Sequence, residues 1–295
     1  MSNRDFQLRQ QQTIARPTSV EGVGYWSGNQ VTVEFRPAAV HSGIVFVRSD
    51  LEGSPRIPAT VDYRIEVPRR TNLVCQGATV EMVEHVLAAL AGLKIDNCEV
   101  HVTAAEMPGL DGSCQAYVDA LTEAGTEAQS EPRPTIVIAE PLRVGNEESW
   151  VEIQPRAKPN LKFKYRLDFG PSGLIGRETL EGKFTEQYFR EQLAPARTFI
   201  LQEEAEWLKS QGMGTHVTYQ DILVFGDEGP IDNPLRFEDE CVRHKVLDLL
   251  GDLALAGCDL IGYVVAHRSG HRLNAELVRQ VLKENQIVEF ARRTA

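Results

Sequence analysis

The two halves of this chain echo each other. Arg-Pro-Thr at 16–18 recurs at 133–135, and Val-Glu-Phe-Arg-Pro at 33–37 is answered by Val-Glu-Ile-Gln-Pro at 151–155. Each half opens with apolar and polar residues in alternation, as at 31–35 and 161–169, the period of a half-buried strand. Each later holds an apolar helical run that leads into a strand pattern, at 82–102 and again at 241–266. Strands first and helices later argue for α+β layers. A chain that runs through one order twice is expected to build two α+β domains of similar topology, packed face to face. The segment 123–135 is polar, holds two prolines and lacks periodicity, so it reads as a linker. The domains are therefore set at 1–126 and 131–295. The second has extra material at about 200–226 that reads as a helix, a Gly-rich turn and a strand, the kind of insertion that often carries specificity.

Within RHKVLDLLGD, at 243–252, His244, Asp248 and Asp252 are each four residues apart. A helix advances about 100° per residue, so a step of four leaves a side chain only about 40° from its predecessor. The three share one narrow face, and Val242, Val246, Leu249, Leu250 and Leu253 take the opposite one. Two readings are open. One is a solvated polar face on an amphipathic helix. The other makes His244 and Asp248 metal ligands, with Asp252 supporting them.

A third ligand must then come from elsewhere. His85 is the best of the seven histidines, because it follows Glu84 directly in an apolar helical stretch. Two imidazoles and one carboxylate leave the fourth position of a zinc ion open to water, the pattern of a catalytic site. Glu84 points about 100° away from His85. It cannot easily share the ion, yet it can lie beside a water on it. A core histidine bonded to backbone is the competing reading for His85. His271 stands between Gly270 and a helix expected to begin near Asn274, so it reads as a loop residue. It is either a general acid or a surface histidine. His101 and His267 are expected in strands, His41 and His216 in loops.

Composition narrows the partners. The net charge of −11 disfavours nucleic acid, whose binders usually carry a basic face. No apolar run is long enough to span a membrane, and the polar start lacks a signal-peptide core. Cys75, Cys98, Cys114, Cys241 and Cys258 are dispersed and form no C-x-x-C pair, which fits reduced thiols in a cytoplasm. A cytoplasmic monomer with no stable membrane insertion is expected.

Taken together, VEHVLAALAGLKIDN, PGLDGS, ARTF, LRFEDECVRHKVLDLLGDLALAG and SGHRLNAEL resemble, in order and over most of the chain, the bacterial UDP-3-O-acyl-N-acetylglucosamine deacetylases, zinc enzymes of lipid A synthesis. That resemblance implies two α+β domains with the active site between them. It implies His85, His244 and Asp248 as zinc ligands and Glu84 as the general base. His271 would be the acid or electrostatic stabiliser, with Asp252 as its partner. Thr198 would contact the reaction centre, and Lys245 the polar end of the substrate. Phe199 and Leu73 would line the pocket. The substrate would be a UDP-linked acylated amino sugar, and the products acetate and a free amine. The amine would be protonated by His271 or by Glu84, and the sequence does not choose between them. Arg197, Arg243, Arg268 and Arg272 lie near the site motifs, but only Lys245 is assigned to the diphosphate.

The chain also departs from that family. Tyr25 and Trp26 stand where the family commonly has Leu-His, Ser149 where it has a lysine, and Gly170 where it often has a histidine before proline. Thr215 and His216 bring polarity into the insertion, which in the family forms an acyl passage. Either they point away from the passage, or the passage is short; the apolar ends of the insertion favour the first. Substrate identity is thus less constrained than deacetylation. A paralogue acting on another N-acyl amino sugar nucleotide is the alternative. A silent metal-binding relative is disfavoured, because it would need neither Glu84 nor His271.

Overall fold

The computed structural model describes residues 7–171 and 174–288. The first six residues, which open the polar start, lie outside them. The first half runs β1 (Gln10–Ile14), β2 (Thr18–Val23), β3 (Gln30–Pro37), β4 (Ile44–Arg48), β5 (Arg56–Pro58), β6 (Arg64–Ile65), β7 (Asn72–Cys75), β8 (Ala78–Val80), α1 (Glu84–Gly92), β9 (Cys98–Val102) and α2 (Gln115–Ala124). Then come β10 (Thr126–Pro132), β11 (Thr135–Val137), β12 (Leu142–Gly145), β13 (Trp150–Gln154), β14 (Leu161–Asp168), β15 (Arg177–Lys183) and the short α3 (Glu186–Tyr188). The chain continues through β16 (Phe199–Leu201), α4 (Gln202–Ser210), β17 (Leu223–Gly226), β18 (Gly229–Pro230), α5 (Glu240–Leu253), β19 (Asp259–His267), α6 (His271–Glu284) and β20 (Ile287–Val288).

The echo in the sequence is an echo in topology. In the first half β9 pairs antiparallel with β3 and parallel with β4, while β2 and β5 flank them antiparallel. In the second half β19 pairs antiparallel with β13 and parallel with β14, and β12 and β15 flank them in the same senses. Strands β3 and β13 carry the repeated Val-Glu motif and occupy the same place in their sheets. The alternation does what period two requires: Val31, Val33 and Phe35 of β3 face the core, as do Phe163, Tyr165 and Leu167 of β14. Helices α1 and α5 precede the central strands, and α2 and α6 follow them. The fold is α+β, built twice.

Helix α1 shows why its sequence looks as it does. It is small and apolar on every side because it is buried on nearly every side, packing on α2 of its own half and on α5 of the other. One apolar core runs through both halves. Arg9 ties them again, bonding Asp96 at 2.6 Å, just before β9, and Asp259 at 2.7 Å, at the start of β19.

The stretch expected to be a linker is structured. β10 pairs antiparallel with β1, with a register shift between Gln10 and Gln12. The prolines misled because Pro132 closes the strand and Pro134 lies past it, where a missing N–H costs the ladder little. His271 is also not a loop residue. It is the first residue of α6, capped by Gly270 and held by the Asn274 N–H to Gly270 carbonyl bond. Among the described residues no helix is long and apolar enough to cross a membrane.

Candidate metal centre

Helices α1 and α5 meet at the seam between the halves and bring their polar residues together there. His244 Nε2 lies 3.3 Å from Asp248 Oδ1, and His85 Nε2 lies 3.7 Å from the same oxygen. The two imidazoles cross edge to face, centroids 5.0 Å apart. All three residues are buried, and one ligand atom from each lies within 4.8 Å of the others. The spacing of four on α5 explains two of them; helix packing delivers the third. His244, Asp248 and Asp252 are at most 4% exposed, which removes the solvated-face reading. Burying so many ionisable groups together is costly unless something pairs them.

The donor set suits a small divalent ion. Nitrogen and oxygen ligands held at about 2.0–2.1 Å in a tetrahedron stand roughly 3.3–3.4 Å apart. The spacings of 3.3 and 3.7 Å are close to that. His244 Nδ1 is 3.1 Å from the Ala196 carbonyl, so Nδ1 carries the proton and Nε2 is left with its lone pair. Lys245 Nζ donates to Asp248 Oδ2 at 2.7 Å. Burial alone would raise the Asp248 carboxyl. Even so it is held well below its ordinary value, and the Lys245 ammonium on Oδ2 contributes to that.

A second cluster lies beside the first. His271 Nδ1 is 2.9 Å from Asp252 Oδ2, and Asn274 Nδ2 donates to the same oxygen at 2.8 Å. Burial would lower the His271 pKa, but the charge and hydrogen bond of Asp252, aided by Glu84 and Asp248, push it up to about 9. The imidazole therefore favours its cationic form. Glu84 is raised, first by burial. Its Oε2 accepts the Thr71 backbone N–H at 2.9 Å, and the Thr71 hydroxyl donates to Asp252 Oδ1 at 2.6 Å. Thr71 thus links the two carboxylates, a role the sequence reading missed. Nothing in its sequence neighbourhood signals it, since the link is made through tertiary contacts.

Glu84, His85, Thr198, Phe199, His244, Lys245, Asp248 and His271 all line one cavity of about 1120 Å³. Asp252 stands behind His271 and does not reach it. Leu73, expected on the pocket wall, is fully buried in the apolar core and lies off the cavity. Its side chain alternates to the inner face of a short strand, which sequence likeness could not reveal. Among the arginines near the motifs, Arg268 and Arg272 reach the cavity. Arg197 is spent internally on Glu240, at 2.8 Å, and Arg243 on Asp239, at 2.5 Å. Arg69, Arg70 and Arg177 line the cavity as well and were not anticipated.

The departures divide. Tyr25, Trp26, Ser149 and Gly170 line the cavity. His216 does not; its Nε2 turns to the Gly24 carbonyl at 2.9 Å. The insertion consists of β16, α4 and β17, and it supplies apolar wall from Ile200, Leu208, Met213, Val217 and Ile222.

Comparison with known proteins agrees with this arrangement. The family model for UDP-3-O-acyl N-acetylglycosamine deacetylase (LpxC) matches residues 11–283. A protein of Thermosynechococcus vestitus named UDP-3-O-acyl-N-acetylglucosamine deacetylase is 40% identical over 274 residues, covering 93% of this chain and 94% of its own. Proteins of the same name from Actinobacillus succinogenes and Haemophilus influenzae are 37% and 38% identical, each covering 95% of this chain and 92% of its own.

Proposed function

The chain belongs to the UDP-3-O-acyl N-acetylglycosamine deacetylase family, and from that premise we propose that it hydrolyses the N-acetyl group of UDP-3-O-acyl-N-acetylglucosamine in lipid A biosynthesis, releasing acetate and a free amine. The observation that carries this reading is the buried His85, His244 and Asp248 group sharing one cavity with Glu84 and His271. These three residues would hold zinc, and their number, kind and spacing fit it.

A bound zinc ion supplies a nucleophilic water near neutral pH and polarises the amide carbonyl. The rest falls to side chains. Glu84 takes the proton of the attacking water; Thr71 holds Oε2 and leaves Oε1 for that task. His271, bonded to Asp252 and so favouring its cationic form, would balance the negative charge that grows on the carbonyl oxygen and would protonate the leaving amine, a step Glu84 could also perform by returning its proton. The Thr198 hydroxyl assists at the same oxygen. Lys245 meets the polar end of the substrate, and Arg268 and Arg272 on the same cavity add positive charge for the diphosphate. The insertion walls a passage for the acyl chain, and Phe199 lines the pocket.

The same reading takes 1–126 and 131–295 as two domains and about 200–226 as the insertion, supported by the shared strand order. It makes the protein a cytoplasmic monomer; five free thiols, four of them buried, support a reducing compartment. The test is to incubate purified protein with UDP-N-acetylglucosamine derivatives of varied 3-O-acyl length and assay free amine. Release from acylated forms is the expected result. Plain UDP-N-acetylglucosamine reacting as fast as every acylated form would favour the paralogue reading, which the departures at Tyr25, Trp26, Ser149 and Gly170 on the cavity wall motivate.

A further inference from the structure

Two segments from opposite halves meet on the wall of the cavity. One is the loop 24–28, between β2 and β3. The other is the turn 214–221 of the insertion. Two hydrogen bonds join them. The Tyr25 hydroxyl donates to the Asp221 carbonyl, and His216 Nε2 lies 2.9 Å from the Gly24 carbonyl, to which it donates as N–H.

Both partners are held in place before they meet. Glu106, 4% exposed, accepts the backbone N–H groups of Trp26 at 2.7 Å and Ser27 at 2.8 Å, which fixes the loop. The Asp221 carboxylate accepts the Thr218 N–H and hydroxyl, each at 2.8 Å, which fixes the turn. The Tyr25 ring lies so close to Gly109 that any side chain there would overlap it. Gly28, at φ +69°, leaves room for the His216 ring, whose Nδ1 would stand 3.1 Å from a Cβ at that position. A further tie, Arg69 to Glu204 at 2.9 Å, is exposed at both ends and contributes little.

We propose that Tyr25 and His216 form a clasp that holds the insertion against the first half at a fixed width, and that this clasp determines which acyl chain length is preferred. The proposal rests on the deacetylase reading above. Apolar walls such as Leu208, Met213 and Val217 attract any hydrocarbon; discrimination needs their separation to be fixed, because dispersion contact fades within an ångström of gap. His216 offers no wall of its own, so its effect on chain length comes only through the Gly24 bond.

The test compares wild type, Tyr25→Phe and His216→Ala, all zinc-loaded. Tyr25→Phe keeps the ring against Gly109 and removes only the hydroxyl, so the fold is not at stake. Hydrogen–deuterium exchange of the amides in 214–221 should quicken about tenfold in either variant, the net worth of one hydrogen bond. The ratio of kcat/KM for a long-acyl over a short-acyl substrate should fall about tenfold, the contact of roughly two methylenes. Unchanged exchange in both variants overturns the clasp. Faster exchange with an unchanged ratio overturns its role in selectivity. A wild type that releases no amine from either substrate overturns the deacetylase reading instead, and the exchange measurement still judges the clasp.

Discussion

Gly251 of α5 lies directly against the backbone of Glu84 in α1. A methyl group built at Gly251 would overlap the Glu84 carbonyl oxygen and stand 3.0 Å from its carbonyl carbon. The neighbour is backbone, so it cannot swing aside. Gly251 is one helical repeat after His244, on the face that also carries Asp248. The two halves therefore come into direct backbone contact where their ligating residues face each other.

Gly251→Ala should push α5 away from α1. Overpacking of this kind costs about 1–3 kcal/mol. We expect a lower urea midpoint and weaker metal retention, because His85 and the α5 residues separate together. A variant with wild-type midpoint and metal content would show that the helix contact does not set the site.

Metal content separates ligands from neighbours. The purified protein should carry close to one zinc per chain and lose activity to chelators. His85→Ala and Asp248→Ala should each lower both metal content and turnover. Full occupancy in both variants would remove these residues from the ligand set.

The proton-transfer groups should behave differently. Glu84→Gln should keep the metal and lose about 10²–10⁴-fold in rate, and His271→Ala should fall in the same range. Elemental analysis beside the rate measurement distinguishes these losses from loss of the ion. Wild-type turnover by Glu84→Gln would break the mechanism.

The pH–rate profile should be bell-shaped. Glu84 works deprotonated, so the acidic limb is its titration, and burial draws that limb upward. His271 works protonated and is raised by Asp252 to about 9, so activity falls as pH climbs through the region at or below that value. A bound cation moves both limbs down without exchanging them. Asp252→Asn removes the charge that raises His271 and should draw the basic limb to lower pH. An unmoved basic limb would assign it to another group.

Much of the site was legible because local periodicity carries it. His244, Asp248 and Asp252 share a face by helix geometry alone, and the small, apolar run around His85 announces a helix buried on all sides. The repeated strand motif announced a repeated topology, since alternation and element order are local properties. Leu73 was legible only as a likeness. Which face of its short strand meets the cavity depends on a partner sheet that no local pattern encodes.

The sequence by itself determined most of the elements, their double order and the chemical kinds of residue available, but not β10 or the first turn of α6. Tertiary structure alone decided which of those residues meet. His85 reaches Asp248 across 163 positions only because Gly251 lets two helices touch. Thr71 joins Glu84 to Asp252, Arg197 is withdrawn from the cavity by Glu240, and His216 turns from the passage to Gly24. Each of these is a contact between distant segments, and its partner is chosen by packing and by the need to pair every buried polar group, conditions that exist only once the chain has closed on itself.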